Sequence, residues 1–235
     1  MSAMSTETSM GGGRRAFEPT RWSLILQAKR GSRSALSDML SIYWKPAYFY
    51  VRRWGTGVED AKDLTQSFFA EFLRRDFLEG VARERGRFRS FLLTTLRHHL
   101  VNESETARAK KRGGGKAALP LDFADAEQRY RASKEAPEAA FNREWALTVL
   151  ERALSALARE MPKDRFDALR AHLSPGEAPA YEETARRLDG TVTDVKNLLH
   201  GARKRYRELI REEVRCGVRD ESEVDAEVRD LFAFL

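Results

Sequence analysis

The sequence predicts an all-α protein, two small helical domains joined by a flexible basic linker. Three observations lead there. Apolar residues recur at three- and four-residue steps along most of the 235 residues, the period of a helix that buries one face. No stretch alternates apolar and polar residues long enough to read as a strand. Between 106 and 137 the helical pattern stops, and Lys110-Lys111-Arg112-Gly113-Gly114-Gly115-Lys116 is basic and glycine-rich. The implied boundaries are a disordered polar tail over 1–19, a first domain over 20–105, a linker over 106–137, a second domain over 138–214 and an acidic extension over 215–235.

In chain order, Leu36, Leu40, Tyr43, Ala47, Tyr50 and Trp54 form the first stripe, which Gly55-Thr56-Gly57 ends. Leu64, Phe68, Phe72 and Leu73 form the second, in a helix opening near Glu59-Asp60, where acidic side chains meet the positive end of the helix dipole. Phe88, Phe91, Leu92, Thr95, Leu96, His99 and Leu100 form the third, with the phenylalanines packed inside. A short helix near Ala124 to Arg131 is the one element expected inside the linker. Phe141, Trp145, Val149, Ala153, Leu157 and Met161 restart the pattern, and Pro162 follows it. Phe166, Leu169 and Leu173 mark a short helix. Two final segments run from Tyr181 to Leu188 and from Thr193 to about Val214. Beyond them, Val224, Val228, Leu231, Phe232 and Leu235 again fall at helical spacing.

The formal net charge is +6, but its distribution is more telling than its size. Positions 81–116 hold ten basic residues against three acidic ones, and 196–211 hold six against one. Positions 216–235 are the reverse, with two basic residues against six acidic ones. Two basic islands suggest two contacts with one polyanion. The acidic extension is expected to cover the second domain or to serve as a regulatory contact. No apolar run is long enough to span a bilayer, so no membrane insertion is expected. Cys216 is the only cysteine, which excludes an internal disulfide and suits the cytoplasm. His98, His99, His172 and His200 lack the spacing of a metal site, and Gly113 to Gly115 follow no strand that would make a phosphate loop. No enzyme activity, cofactor or metal is therefore expected.

The most informative stretch runs from Tyr181 to His200. A helix-turn-helix needs a small residue where its helices meet, a tight turn and apolar anchors on each side. Ala185 supplies the first, Asp189-Gly190 the second, and Leu188, Val192, Val195 and Leu199 the third. Gly190 is expected to carry the positive φ of the turn, and Thr193 to cap the second helix. That helix would then offer Thr193, Asp194, Lys196, Asn197, His200, Arg203 and Lys204 to a major groove, short polar groups to bases and cations to phosphates. An ordinary helical hairpin with a solvated basic face is the bland alternative.

These residues resemble a known family. Tyr181 to Arg205 is similar to the region-four helix-turn-helix of extracytoplasmic-function (ECF) sigma factors of bacterial RNA polymerase. Val195-Lys196, Leu199-His200 and Ala202-Arg203-Lys204-Arg205 fall where that pattern wants them. Asp60-Ala61-Lys62-Asp63-Leu64-Thr65-Gln66-Ser67-Phe68-Phe69 looks like the region-two signature. Phe88-Arg89-Ser90-Phe91-Leu92, with Arg97 and Asn102, looks like the promoter-melting segment. Two motifs in the expected order are more specific than either alone, and the resemblance spans Thr20 to Val214. Asp189-Gly190 and Leu198 depart from the usual residues. The resemblance implies docking on core RNA polymerase through Asp60, Asp63 and Gln66. It implies contact with the −10 element, as single-stranded DNA, through Arg87, Arg89, Arg97, His98 and Asn102. The −35 element, as duplex, would meet the helix-turn-helix residues named above. An anti-sigma or other regulatory protein stays open as a partner. The rival readings are a conventional helix-turn-helix regulator that never touches polymerase, and a helical partner-binding adaptor.

Overall fold

The first apolar stripe is a helix, α1 (Arg33–Arg53), whose start is set by Ser32 accepting the Ala35 N–H at 3.3 Å. The computed structural model describes residues 27–28, 30–74, 87–109, 119, 121–130, 135–174, 176–218 and 220–235. The expected tail over 1–19 and the Lys110–Lys116 run lie outside them. Among the described residues the chain is all-helical, with no strand. No described helix is long and apolar enough to cross a membrane.

After α1 come α2 (Val58–Arg74), α3 (Phe88–Ala109), α4 (Phe123–Arg129), α5 (Pro137–Glu160), α6 (Lys163–Leu173), α7 (Tyr181–Arg187), α8 (Val192–Arg215) and α9 (Val224–Ala233). Elements that the sequence marks by strong spacing begin and end within a few residues of expectation. The exception in character is α1. It was expected to bury one stripe, yet Met39, Ile42, Tyr48, Phe49 and Val51 are buried along with Tyr43, Ala47 and Tyr50. From Ile42 to Val51 the helix is buried nearly all round, as a central helix is, while its first half keeps Arg33, Ser34, Ser37, Asp38 and Ser41 exposed on one side. Even Pro46 sits inside it, where the missing N–H leaves one carbonyl of the ladder without its donor.

What covers α1 comes from both halves of the chain. It packs against α2 and α3, and its largest interface is with α5. Tyr43 meets the Phe88 ring edge-on at 5.0 Å, closing α1 onto α3. Phe123 of α4 packs edge-on against Trp44 and Tyr48. The segment expected to link two domains is docked here as well. Lys45 pairs with Asp125 at 2.6 Å, Arg52 pairs with Glu127 at 2.8 Å, and the Tyr48 hydroxyl donates to Glu127 at 2.6 Å. Tyr130 packs edge-on against Phe49 and lies under the Arg52 and Arg53 guanidiniums. Residues 121–130 are thus held by aromatic packing and ion pairs, unlike the flexible linker expected, and one hydrophobic cluster runs from Met39 to Leu231.

Candidate nucleic-acid interface

Helix α7 meets α8 through a turn built on the small Ala185, which is buried. The Gly190 N–H donates to the Ala185 carbonyl at 3.0 Å, and the Leu188 N–H donates to that of Thr184 at 3.2 Å. The positive φ falls on Asp189 (49°), not on Gly190 as expected. Aspartate is among the few side chains that tolerate that region. The cap also differs from expectation. Thr191 caps α8, and Thr193 lies inside the first turn. Thr191 and Asp194 form a reciprocal capping box. The Asp194 N–H donates to Thr191 Oγ1 at 3.2 Å, and the Asp194 carboxylate accepts the Thr191 N–H at 2.9 Å and its hydroxyl at 2.7 Å. Those hydrogen bonds hold the Asp194 carboxyl below its usual range. Asp194 is therefore spent on the helix start.

One side of α8 buries Val195, Leu199, Ala202, Leu209, Ile210 and Val214. Thr193, Lys196, Asn197, His200, Arg203 and Lys204 are all exposed, and at 3.6 residues per turn they share the opposite face. Arg207, not singled out from the sequence, continues that face, and Arg186 and Arg187 are exposed at the end of α7. Counting turns onward from Thr193 would have found Arg207. Neighbouring helices fix this platform. The Lys196 ammonium lies 5.8 Å from the Tyr181 ring centroid, and Arg203 Nη2 donates to the His172 carbonyl at 3.3 Å. His172 stacks on Tyr181 and is hydrogen-bonded to Thr184 Oγ1 at 2.9 Å. Burial, then the nearby Arg203 charge, holds the His172 imidazole below its usual range. Arg205 points elsewhere, to Glu160 at 2.7 Å and Glu212 at 3.0 Å, and ties α8 to α5.

On α2, Asp60 and Asp63 are exposed and Gln66 is half-buried, while Ala61, Thr65, Phe68, Phe69 and Phe72 form the core side. On α3, Arg97, His98 and Asn102 are exposed, and Phe88, Phe91, Leu92, Leu96 and Leu100 are buried. Trp54, read as part of the α1 stripe, instead stands 38% exposed beside Tyr50, with ring centroids 5.7 Å apart. Arg97 is close enough to oppose the rise of the Tyr50 hydroxyl, which burial and Glu138 push up to about 12.

Arg87 and Arg89, expected to contact DNA, are placed differently. Arg89 is only 6% exposed. Its Nε and Nη2 donate to the two Glu227 oxygens at 3.0 and 3.2 Å, and Nη1 donates to Asn142. The rings of Trp145 and Phe234 flank the guanidinium at 4.7 and 4.9 Å. Arg87 pairs with Glu227 at 2.8 Å and also with Asp230. Carboxylates of α9 thus occupy both guanidiniums, with Arg89 buried and Arg87 partly exposed. Sequence spacing could not show this pairing, although the acidic tail facing a basic island was its trace.

Among the described residues, one cluster of possible metal ligands has its ligand atoms within 4.8 Å of one another, that of Glu71, His99 and Glu103. His99 already uses both ring nitrogens, Nδ1 toward Glu71 at 2.8 Å and Nε2 toward Ser67 at 2.9 Å. The cluster braces α2 against α3. No protein-family model matches the chain, and no curated protein matches it significantly.

Proposed function

We propose that the chain is a sigma factor of the extracytoplasmic-function type, which binds core RNA polymerase in the cytoplasm and directs promoter recognition and opening. The observation that carries this reading is the α7–turn–α8 unit. It presents Thr193, Lys196, Asn197, His200, Arg203 and Lys204 on one exposed face, backed by a buried apolar face. A helix of that kind fits a major groove, with Asn197 and His200 near base edges and Lys196, Arg203 and Lys204 at phosphates. Asp194 is left out of base reading because it caps the helix.

On this reading the exposed Asp60 and Asp63, with Gln66, dock on polymerase. Arg97, His98 and Asn102 meet the opened downstream strand. The exposed Trp54 ring offers a stacking face for an unpaired base. The chemistry is binding and strand capture, with no bond made or broken and no cofactor used.

The test is run-off transcription with purified core polymerase across a panel of genomic promoters, with co-purification of the two proteins. Specific transcripts are expected from some promoters. Duplex binding without polymerase binding would make the chain a conventional helix-turn-helix regulator. Binding to neither would favour the adaptor.

A further inference from the structure

The acidic helix α9 sits on Arg87 and Arg89, the two arginines that the family resemblance assigns to the opened strand in addition to Arg97, His98 and Asn102, and its carboxylates have the chemistry of a strand's phosphates. A carboxylate and a phosphodiester present the same target to an arginine fork, two oxygens accepting two parallel N–H bonds. Glu227 fills that role for Arg89, and Glu227 and Asp230 together fill it for Arg87. The site beneath is partly built without α9. Asn142 and Trp145 come from α5, and Trp145 stacks on the Arg89 guanidinium. The backbone also joins the two regions, since the Phe88 N–H at the start of α3 donates to the Gly217 carbonyl at 3.0 Å.

The seat of α9 is shallow. Its buried residues are Val224, Glu227 and Leu231, and Glu227 is held through ion pairs. Phe232 and Leu235 stand 53% exposed at its end. Its ion pairs to α8, Arg211 with Asp225 and Arg215 with Glu221 just before it, are exposed and of the kind that contribute little. Its apolar anchors are Val224 and Leu231 with the half-buried Val228 and Phe234, the latter edge-on to Trp145, and a terminal helix on so small a set opens more readily than the core.

We propose that α9 is an internal competitor for single-stranded nucleic acid. Seated, it neutralises Arg87 and Arg89. Lifted, it frees a strand-binding site made of Arg87, Arg89, Asn142 and Trp145, with phosphates on the arginines and a base against the indole. This rests on the proposed DNA-binding function and adds its regulation. An anionic strand and α9 exclude one another, so each weakens the other's hold by the same factor.

The test measures a labelled single-stranded oligonucleotide of roughly 20 nucleotides by fluorescence anisotropy, against the full chain and a Glu227→Gln/Asp230→Asn variant. The variant keeps side-chain size and removes only the charge of the competitor. About tenfold tighter binding is expected, and adding Arg87→Gln/Arg89→Gln should abolish the gain. In the unaltered chain, hydrogen exchange of 224–233 should speed up when oligonucleotide is added, a readout that does not depend on any variant folding. Equal affinity of chain and variant, with α9 exchange unchanged by oligonucleotide, overturns the competitor. If the chain still binds duplex DNA and core polymerase, the proposed function stands without it. A chain that binds neither strand, duplex nor polymerase removes both.

Discussion

The exposed face of α8 and the start of α3 carry the same kinds of side chain in opposite surroundings. On α8, Lys196, Arg203 and Lys204 face outward, and no carboxylate pairs with them among the described contacts. At the start of α3, Arg87 and Arg89 are neutralised by Glu227 and Asp230, and Arg89 is enclosed between the Trp145 and Phe234 rings. Both lie in basic islands of the sequence. What separates them is an acidic helix more than a hundred residues away in the chain. A count of arginines therefore locates charge, while the fold decides whether that charge is offered outward or consumed as structure.

The sharpest way to break this contrast is to delete one arginine from each region. Arg89→Ala leaves the buried Glu227 with Arg87 in place of its two-bond fork and should destabilise the chain by about 3 kcal/mol. Lys196→Ala should stay within about 0.5 kcal/mol. Urea unfolding of both variants checks it, and equal losses would mean that Arg89 is no more structural than Lys196.

Glu144 tests the buried side with a carboxylate. It lies 5% exposed on α5, and burial pushes its carboxyl up to about 7, with Arg129 and Lys45 opposing that rise. The folded chain then holds this proton more tightly than the unfolded chain does. Its contribution to stability is full below the ordinary glutamate value and is lost as pH rises through about 7. Glu144→Gln should thus match the parent near pH 4.5 and be more stable at pH 8, by on the order of 3 kcal/mol. Denaturation midpoints at the two pH values decide it, and a constant difference would refute the assignment.

On the exposed side, Lys196→Ala/Arg203→Ala should weaken duplex DNA binding about 10–100-fold and flatten its salt dependence by about 2 phosphate contacts. Anisotropy titrations across a potassium chloride series read both. An unchanged slope would place DNA on another surface. A smaller effect is expected of Thr191→Ala, which removes the α8 cap and should lower stability by about 1 kcal/mol in urea unfolding. Thr193→Ala, inside the first turn, should do less.

The helices were largely legible because each needs its apolar spacing to bury a face. Phe88 to Leu100, Phe141 to Leu157 and Val195 to Val214 all carry that spacing openly. The exposed face of α8 was legible for the same reason, since the polar side of a helix is the complement of its apolar side. Local signals went astray where two residues could play one part. Asp189 and Gly190 both tolerate a left-handed turn, and Thr191 and Thr193 both can cap. The capping box held the discriminating signal, because Thr191 has an acid three residues on and Thr193 has Lys196. Partners distant in sequence were not legible. Nothing local in Arg89 announces Glu227, and nothing in Met39, Ile42 or Tyr48 says that α5 will close over the helix that carries them.

That closure also sets a timetable. During synthesis, α1 leaves the ribosome long before its largest partner exists, because α5 ends only at Glu160. At ordinary elongation rates the gap is roughly 5–20 s. Through that interval the nascent chain carries a helix rich in tyrosine, phenylalanine and tryptophan with part of its cover still unmade. Such a chain is a natural client for chaperones that hold apolar segments. A fragment ending before α5 would lack that cover on α1.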